Sequence, residues 1–210
     1  MKKTTGKTRK YNTGTYIIGM SVFFVIMLLV VIIDFNRLFV KPEDLNSVVK
    51  KGGKPHAGDY VSVEVAMYDK PMAYAEANYK LYGIIPSGRE YYYIFQLDNG
   101  AYISLSVRKD IADKLEGFEN GKARGTVTVT GEIEKMNDEI QDYYTKTLGY
   151  FGVGDEGNTT VYNLTIDATD SVLAAWILII VSLIFMLLFA FMLVRAINFK
   201  KRMLEENKEE

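Results

Sequence analysis

The sequence predicts an α+β protein in which two transmembrane helices flank a β-rich domain. Three observations carry this. Two apolar runs, residues 16–33 and 172–194, hold no charged residue, and each is long enough for a helix to cross about 30 Å of hydrocarbon. Between them, apolar residues alternate with period two in several short stretches, as half-buried strands require. Two of those stretches are joined by Asp98-Asn99-Gly100, a tight-turn sequence.

Residues 1–15 form a basic tail, with Lys2, Lys3, Lys7, Arg9 and Lys10 and no acid. Residues 195–210 form a charged tail that opens with Arg195, Lys200, Lys201 and Arg202. Basic residues beside a span are retained in the cytoplasm, so both termini are expected inside and the central segment outside. The first run follows a basic region, as a signal peptide does. It is longer than a typical signal core, however, and ends in Ile32-Ile33-Asp34 without small residues for cleavage, so it reads as a retained anchor. Neither run carries an ionisable group in its middle, which argues against a proton relay or ion path. Gly19 and Ser21 in one run, and Ala174, Ala175, Ser182 and Ala190 in the other, offer small surfaces for helix contact. Trp176 suits an interfacial anchor.

Residues 34–171 hold 15 Lys and Arg against 22 Asp and Glu, a net charge of −7. Such a segment lacks the basic surface that nucleic acid demands. With no cysteine, it must hold together through its apolar core, and this points to a bacterial rather than a eukaryotic secretory setting. The expected partners are the lipid bilayer and a membrane or envelope protein, glycan or peptide.

Residues 34–58 read as a stalk with a short helix from Pro42 to Lys51, with Glu43 and Asp44 in its first turn and Gly52-Gly53 at its end. The β-rich domain then covers 59–167. Val61, Val63, Val65 and Met67 mark one strand. Met72 to Tyr82 marks another, with Ala73, Ala75, Ala77, Tyr79 and Leu81 on one face, where three alanines leave room for something bulky. Tyr91 to Leu97 and Ala101 to Val107 form a hairpin around the Asp98-Asn99-Gly100 turn. Asp110 is placed to cap a short helix bearing Ile111, Leu115 and Phe118. Thr126 to Met136 is a further strand. Asn137 then caps a second helix whose Ile140, Tyr144 and Leu148 recur every four residues, with Gly149 at its end. Val161 to Ile166 is the last strand. Strands, helix, strand, insert, strand is the order of an oligonucleotide/oligosaccharide-binding (OB) barrel, and the extra first strand and helical insert leave an open sheet or sandwich as the alternative.

The stretch Gly125-Thr126-Val127-Thr128-Val129-Thr130-Gly131-Glu132-Ile133 resembles strands of bacterial OB-type envelope domains. The whole layout resembles uncharacterised two-span membrane proteins of Gram-positive bacteria with an OB-like extracytoplasmic domain.

Candidate sites are few. His56 is the only histidine, and no Ser sits in a nucleophile-elbow context to complete a triad with it. Zinc lacks its usual Cys and His ligands, and Asp155, Glu156, Asp167 and Asp170 do not fit a calcium loop. No metal or cofactor is therefore expected. Residues 152–157 spell GxGxxG, but they follow a helix instead of a strand and carry two acids that would repel a phosphate, so they read as a loop. Glu132 and Glu134 share a strand face about 6–7 Å apart, within the span of paired glycosidase acids, although alternating acids are common on a wet strand face. The compositional oddity is 15 tyrosines. Tyr74, Tyr82, Tyr92 and Tyr102 fall on outward positions and make a candidate partner-binding patch. The role this predicts is a non-enzymatic, membrane-anchored binding or assembly module of the bacterial envelope. The rivals are an envelope hydrolase using carboxylates or His56, and a transmembrane sensor.

Overall fold

A computed structural model describes residues 13–69, 71–81, 84–121, 124–153, 159–169 and 172–206. The elements run α1 (Thr13–Ile33), α2 (Phe35–Phe39), β1 (Glu43–Asp44), α3 (Leu45–Lys50), β2 (Tyr60–Ala66), β3 (Met72–Leu81), β4 (Ile85–Gln96), β5 (Tyr102–Arg108), α4 (Lys109–Glu119), β6 (Thr126–Lys135), α5 (Asp138–Tyr150), β7 (Val161–Ala168) and α6 (Val172–Glu206). They form two compact units, residues 1–38 with 172–210, and residues 39–171. Several expected features lie outside the described residues: most of the basic tail, Tyr82, positions 154–157 of the glycine-rich stretch, and Asp170.

In the helical unit, α1 and α6 are both long and apolar enough to cross a membrane. The helices pair antiparallel. Val30 is buried with Ala175 and Ile179, Phe23 stacks on Phe185 with ring centroids 4.7 Å apart, and Gly19 faces Phe189. Residue numbers rise along one helix as they fall along the other. A Cβ at Gly19 would lie 2.7 Å from the Phe189 ring, so glycine permits this approach. Of the small residues read from the sequence, Ala175 and Ser182 are buried as well. Helix α6 does not end with the apolar run at Val194 but continues to Glu206. Residues 195–206 contain no Gly or Pro, and Ala, Leu, Lys, Arg and Glu sustain a helix in water.

The second unit is built on one seven-stranded sheet in the order β1-β2-β6-β7-β5-β4-β3. Neighbours are antiparallel except β1 with β2 and β5 with β7. Alternation sends Val61, Val63 and Val65 of β2, Ile103, Leu105 and Val107 of β5, and Val129 and Ile133 of β6 to one face, which α3 and α4 cover. There Leu45 and Val49 of α3 and Ala112, Leu115 and Phe118 of α4 are buried with them. The expected stalk helix is thus part of the core.

Local chemistry moves several boundaries. The Asp44 side chain accepts the Asn46 amide at 3.1 Å, so α3 begins after the acids rather than at Pro42, and Glu43-Asp44 add to the sheet beside β2. Asp110 lies inside the first turn of α4; the cap position is Arg108, which makes no side-chain cap bond. Asn137 does cap α5, accepting the Ile140 amide at 2.8 Å. Helix α5 passes through Gly149 and ends at Tyr150, because Gly152 takes the left-handed turn at φ 69°. The Gly152 and Val153 amides then close back onto the Gly149 and Leu148 carbonyls, each at 3.0 Å. Strand β4 reaches back to Ile85, further than the Tyr91 start expected, because its first part pairs with β3 alone despite Pro86 and Gly88. At Gly131 the Asp167 carbonyl comes so close that no Cβ fits.

Candidate functional site

The second face of the sheet carries Tyr92 and Ile94 of β4, Tyr102 and Ser104 of β5, and Tyr74, Ala75 and Ala77 of β3. A register irregularity between Ala73 and Ala75 changes the parity of β3. Tyr74 and Ala75 therefore both pack on this face, whereas Ala73 is exposed, which corrects the simple alternation of alanines. The room left by Ala75 and Ala77 is filled by α5, whose Ile140, Tyr144 and Leu148 are buried there.

The predicted tyrosines meet here. Three of the four, Tyr74, Tyr92 and Tyr102, share one cluster, and Tyr82 lies outside the described residues. Their expected exposure is corrected: α5 lies over them, burying Tyr92 and leaving Tyr74 and Tyr102 half-buried. Tyr92 retains 7% of its surface, and Tyr74 packs against both Tyr92 and Tyr144 with ring centroids 5.9 and 5.5 Å apart. The contact is a second core with hydroxyl groups inside it. Tyr74 and Ser104 share a hydrogen bond of 2.7 Å, and Thr165 Oγ1 donates to the same Ser104 oxygen at 3.1 Å. Among the described residues the Tyr144 hydroxyl has no hydrogen-bond partner, although the side chain is fully buried. Burial pushes the phenols of Tyr74, Tyr92 and Tyr144 up, helped by the Glu90 charge at Tyr92 and by neighbouring phenols at Tyr144. All three are neutral at physiological pH.

Outside this contact, a cleft of about 330 Å³ remains between residues 74–77 of β3 and Asn137, Glu139, Ile140 and Tyr143 of α5. Tyr143, which sequence periodicity leaves on the helix's outer side, is 48% exposed and forms part of its wall. Reading the sequence missed this cleft, since it exists only where α5 lies along β3. The tyrosine at 143 beside the buried one at 144 was the available signal.

The remaining candidates scatter. His56 is exposed; its amide donates to Asp59 Oδ2 at 2.8 Å and its ring nitrogen lies 3.6 Å from the same oxygen, in a loop tied to Ile133 of β6. Glu132 stands between Tyr60 of β2 and Asp167 of β7, and Glu134 stands opposite Thr165. Asp167 accepts the Thr169 amide at 2.9 Å and so serves a local turn. A larger, acidic cleft of about 490 Å³ lies beside α3, but its groups are engaged with one another: Lys50 pairs with Asp98 at 2.7 Å, and Thr126 donates to Glu64 at 3.0 Å. That cleft fastens α3 to the hairpin turn. Among the described residues no three His, Cys, Asp or Glu side chains assemble in a way that could hold a metal ion.

Residues 6–198 match the model of a family described as a domain of unknown function, DUF8577. No curated protein and no solved structure matches the chain.

Proposed function

The chain belongs to the DUF8577 family, the match taking in both apolar runs and everything between them, and we propose that it is a membrane-anchored, non-enzymatic binding or assembly module of a bacterial cell envelope. Both termini are cytoplasmic and the β-rich domain is extracytoplasmic. The observation that carries this reading is the antiparallel pairing of α1 and α6, which brings the C-terminal end of one and the N-terminal end of the other to the same side. The acidic segment joins those two ends, while the basic residues flank the opposite ones.

An OB-like architecture is supported by strand order. Strands β3-β4-β5-β7-β6 neighbour one another in that sequence, β5 and β7 run parallel, and α4 joins β5 to β6. Strands β2 and β3, consecutive in the chain but set near opposite edges, stand for a first strand broken after Ala66 and resumed at Met72. A transmembrane sensor is the second reading, favoured by the helical continuation of α6 from Arg195 to Glu206.

The full chain lacks cysteine, so single-cysteine variants report topology cleanly. Glu116→Cys on α4 is expected to react with an impermeant maleimide on intact cells, and Lys201→Cys only after permeabilisation. The reverse pattern overturns the orientation. A photo-reactive residue at Tyr143, Lys114 or Ser47 in native membranes is expected to yield discrete adducts with an envelope component from at least one position. Adducts from none of them overturn the binding role.

A further inference from the structure

We infer that the groove between β3 and α5 takes an extended, basic peptide segment of another protein, added to the sheet alongside β3. This rests on the binding-module reading and names its ligand class.

Strand β3 ends the sheet, so among the described residues its outer backbone edge is unpaired. A row of free N–H and C=O groups is a template for another strand, and natural edges are usually blunted by Lys, Pro or bulges. Here the two register irregularities fall between Ala73 and Ala75 and between Asn78 and Lys80. They flank the stretch Ala75-Glu76-Ala77-Asn78, which is regular and carries neither Lys nor Pro. Its alanines leave the backbone within reach.

Helix α5 supplies the second wall. An extended peptide sends alternate side chains to opposite faces. One set would enter the cleft over Ala75 and Ala77, between Tyr74 and the half-exposed Tyr143. The other set would stand on the face of Glu76, whose cross-strand neighbour Tyr91 packs on the far side of the sheet. Main-chain bonds then provide affinity and the cleft provides selectivity.

Charge selects the occupant. The cleft lining includes Glu76 and Glu139 and no Lys or Arg, and Asp138 adds a further acid at the start of α5. Arg89 pairs with Glu76 from β4, but both side chains are substantially exposed, so an incoming cation can share that carboxylate. A Lys or Arg near Tyr143 also gains from the ring face.

The probe is a blocked, fluorescent Lys-Val-Lys-Val-Lys-Val peptide, added to the full chain in detergent and followed by anisotropy. Binding is expected to fall at least about tenfold when alternate peptide nitrogens are methylated, which removes strand donors. A similar fall is expected for the Glu-Val counterpart and for the Glu76→Lys/Glu139→Lys variant, whose circular dichroism should be unchanged. The methylated and acidic peptides need no variant, so a misfolded double mutant leaves the test intact. Failure of the Lys-Val peptide to bind, equal binding of the methylated peptide, or a dimer of the chain that pairs through β3 and excludes the peptide would each overturn the inference. If the probe fails while photo-adducts still form at Lys114 or Ser47, the groove assignment falls and the binding-module reading stands.

Discussion

The two faces of the sheet are covered by different chemistry. Under α3 and α4 the contact is largely aliphatic, with Val63, Val65, Ile103, Leu105, Leu115 and Ile133 almost fully buried. Under α5 it is built from tyrosines, alanines and hydroxyls, with Tyr74, Ser104 and Thr165 hydrogen-bonded inside and the Tyr144 hydroxyl without a partner among the described residues. Aliphatic burial is non-directional and stabilises in proportion to area, whereas buried hydroxyls stabilise little on balance and cost free energy when left unmatched. The first face therefore holds the domain together. The second is the more easily rearranged, and it borders the cleft beside the β3 edge.

The largest expected effect comes from the aliphatic face. Leu115→Ala removes a fully buried side chain and is expected to cost about 2–5 kcal/mol in urea unfolding. A loss smaller than that of Leu148→Ala on α5 would break the comparison. Next comes alkaline pH. Tyr74, Tyr92 and Tyr144 have folded-state pKa values raised by burial, so the stability they contribute is complete below the unfolded phenol value of about 10 and declines as pH rises toward their folded values. Absorbance at the phenolate band should show these three tyrosines titrating only as α5 detaches, followed in parallel by circular dichroism. Their titration while the circular dichroism is still native would show that the face is open. The smallest effects separate the hydroxyls. Tyr74→Phe breaks the bond to Ser104 and is expected to cost about 1 kcal/mol. Tyr144→Phe removes a hydroxyl that has no partner among the described residues and is expected to be neutral or slightly stabilising in the same assay. A cost at Tyr144 equal to that at Tyr74 would place an additional partner beside it.

Much of this is legible in the sequence. Period-two alternation located β2, β5 and β6, because a strand with one wet face has to alternate. The Asn137 cap and the four-residue spacing of Ile140, Tyr144 and Leu148 located α5 and its buried stripe. Other features were hidden. Pro86 and Gly88 disguised the first half of β4, and the irregularity at Tyr74 defeated face assignment in β3, since one extra residue reverses the side on which the chain's later residues fall. Tyr74, Tyr92 and Tyr102 share one face, as their positions in the strands suggest, but that face is covered by α5. Nothing local in Tyr92 reports that a helix more than forty residues downstream returns to lie on it.

The sequence by itself determined the two uncharged runs, their basic flanks and the alternating strands between them, because desolvation cost and side-chain periodicity act locally and can be read from neighbours. Tertiary structure alone decided that the sheet has an edge at β3, that α5 hides the tyrosines, and that a cleft lies between the two. Each of these depends on which distant segments meet, a choice made by the summed packing of the whole domain.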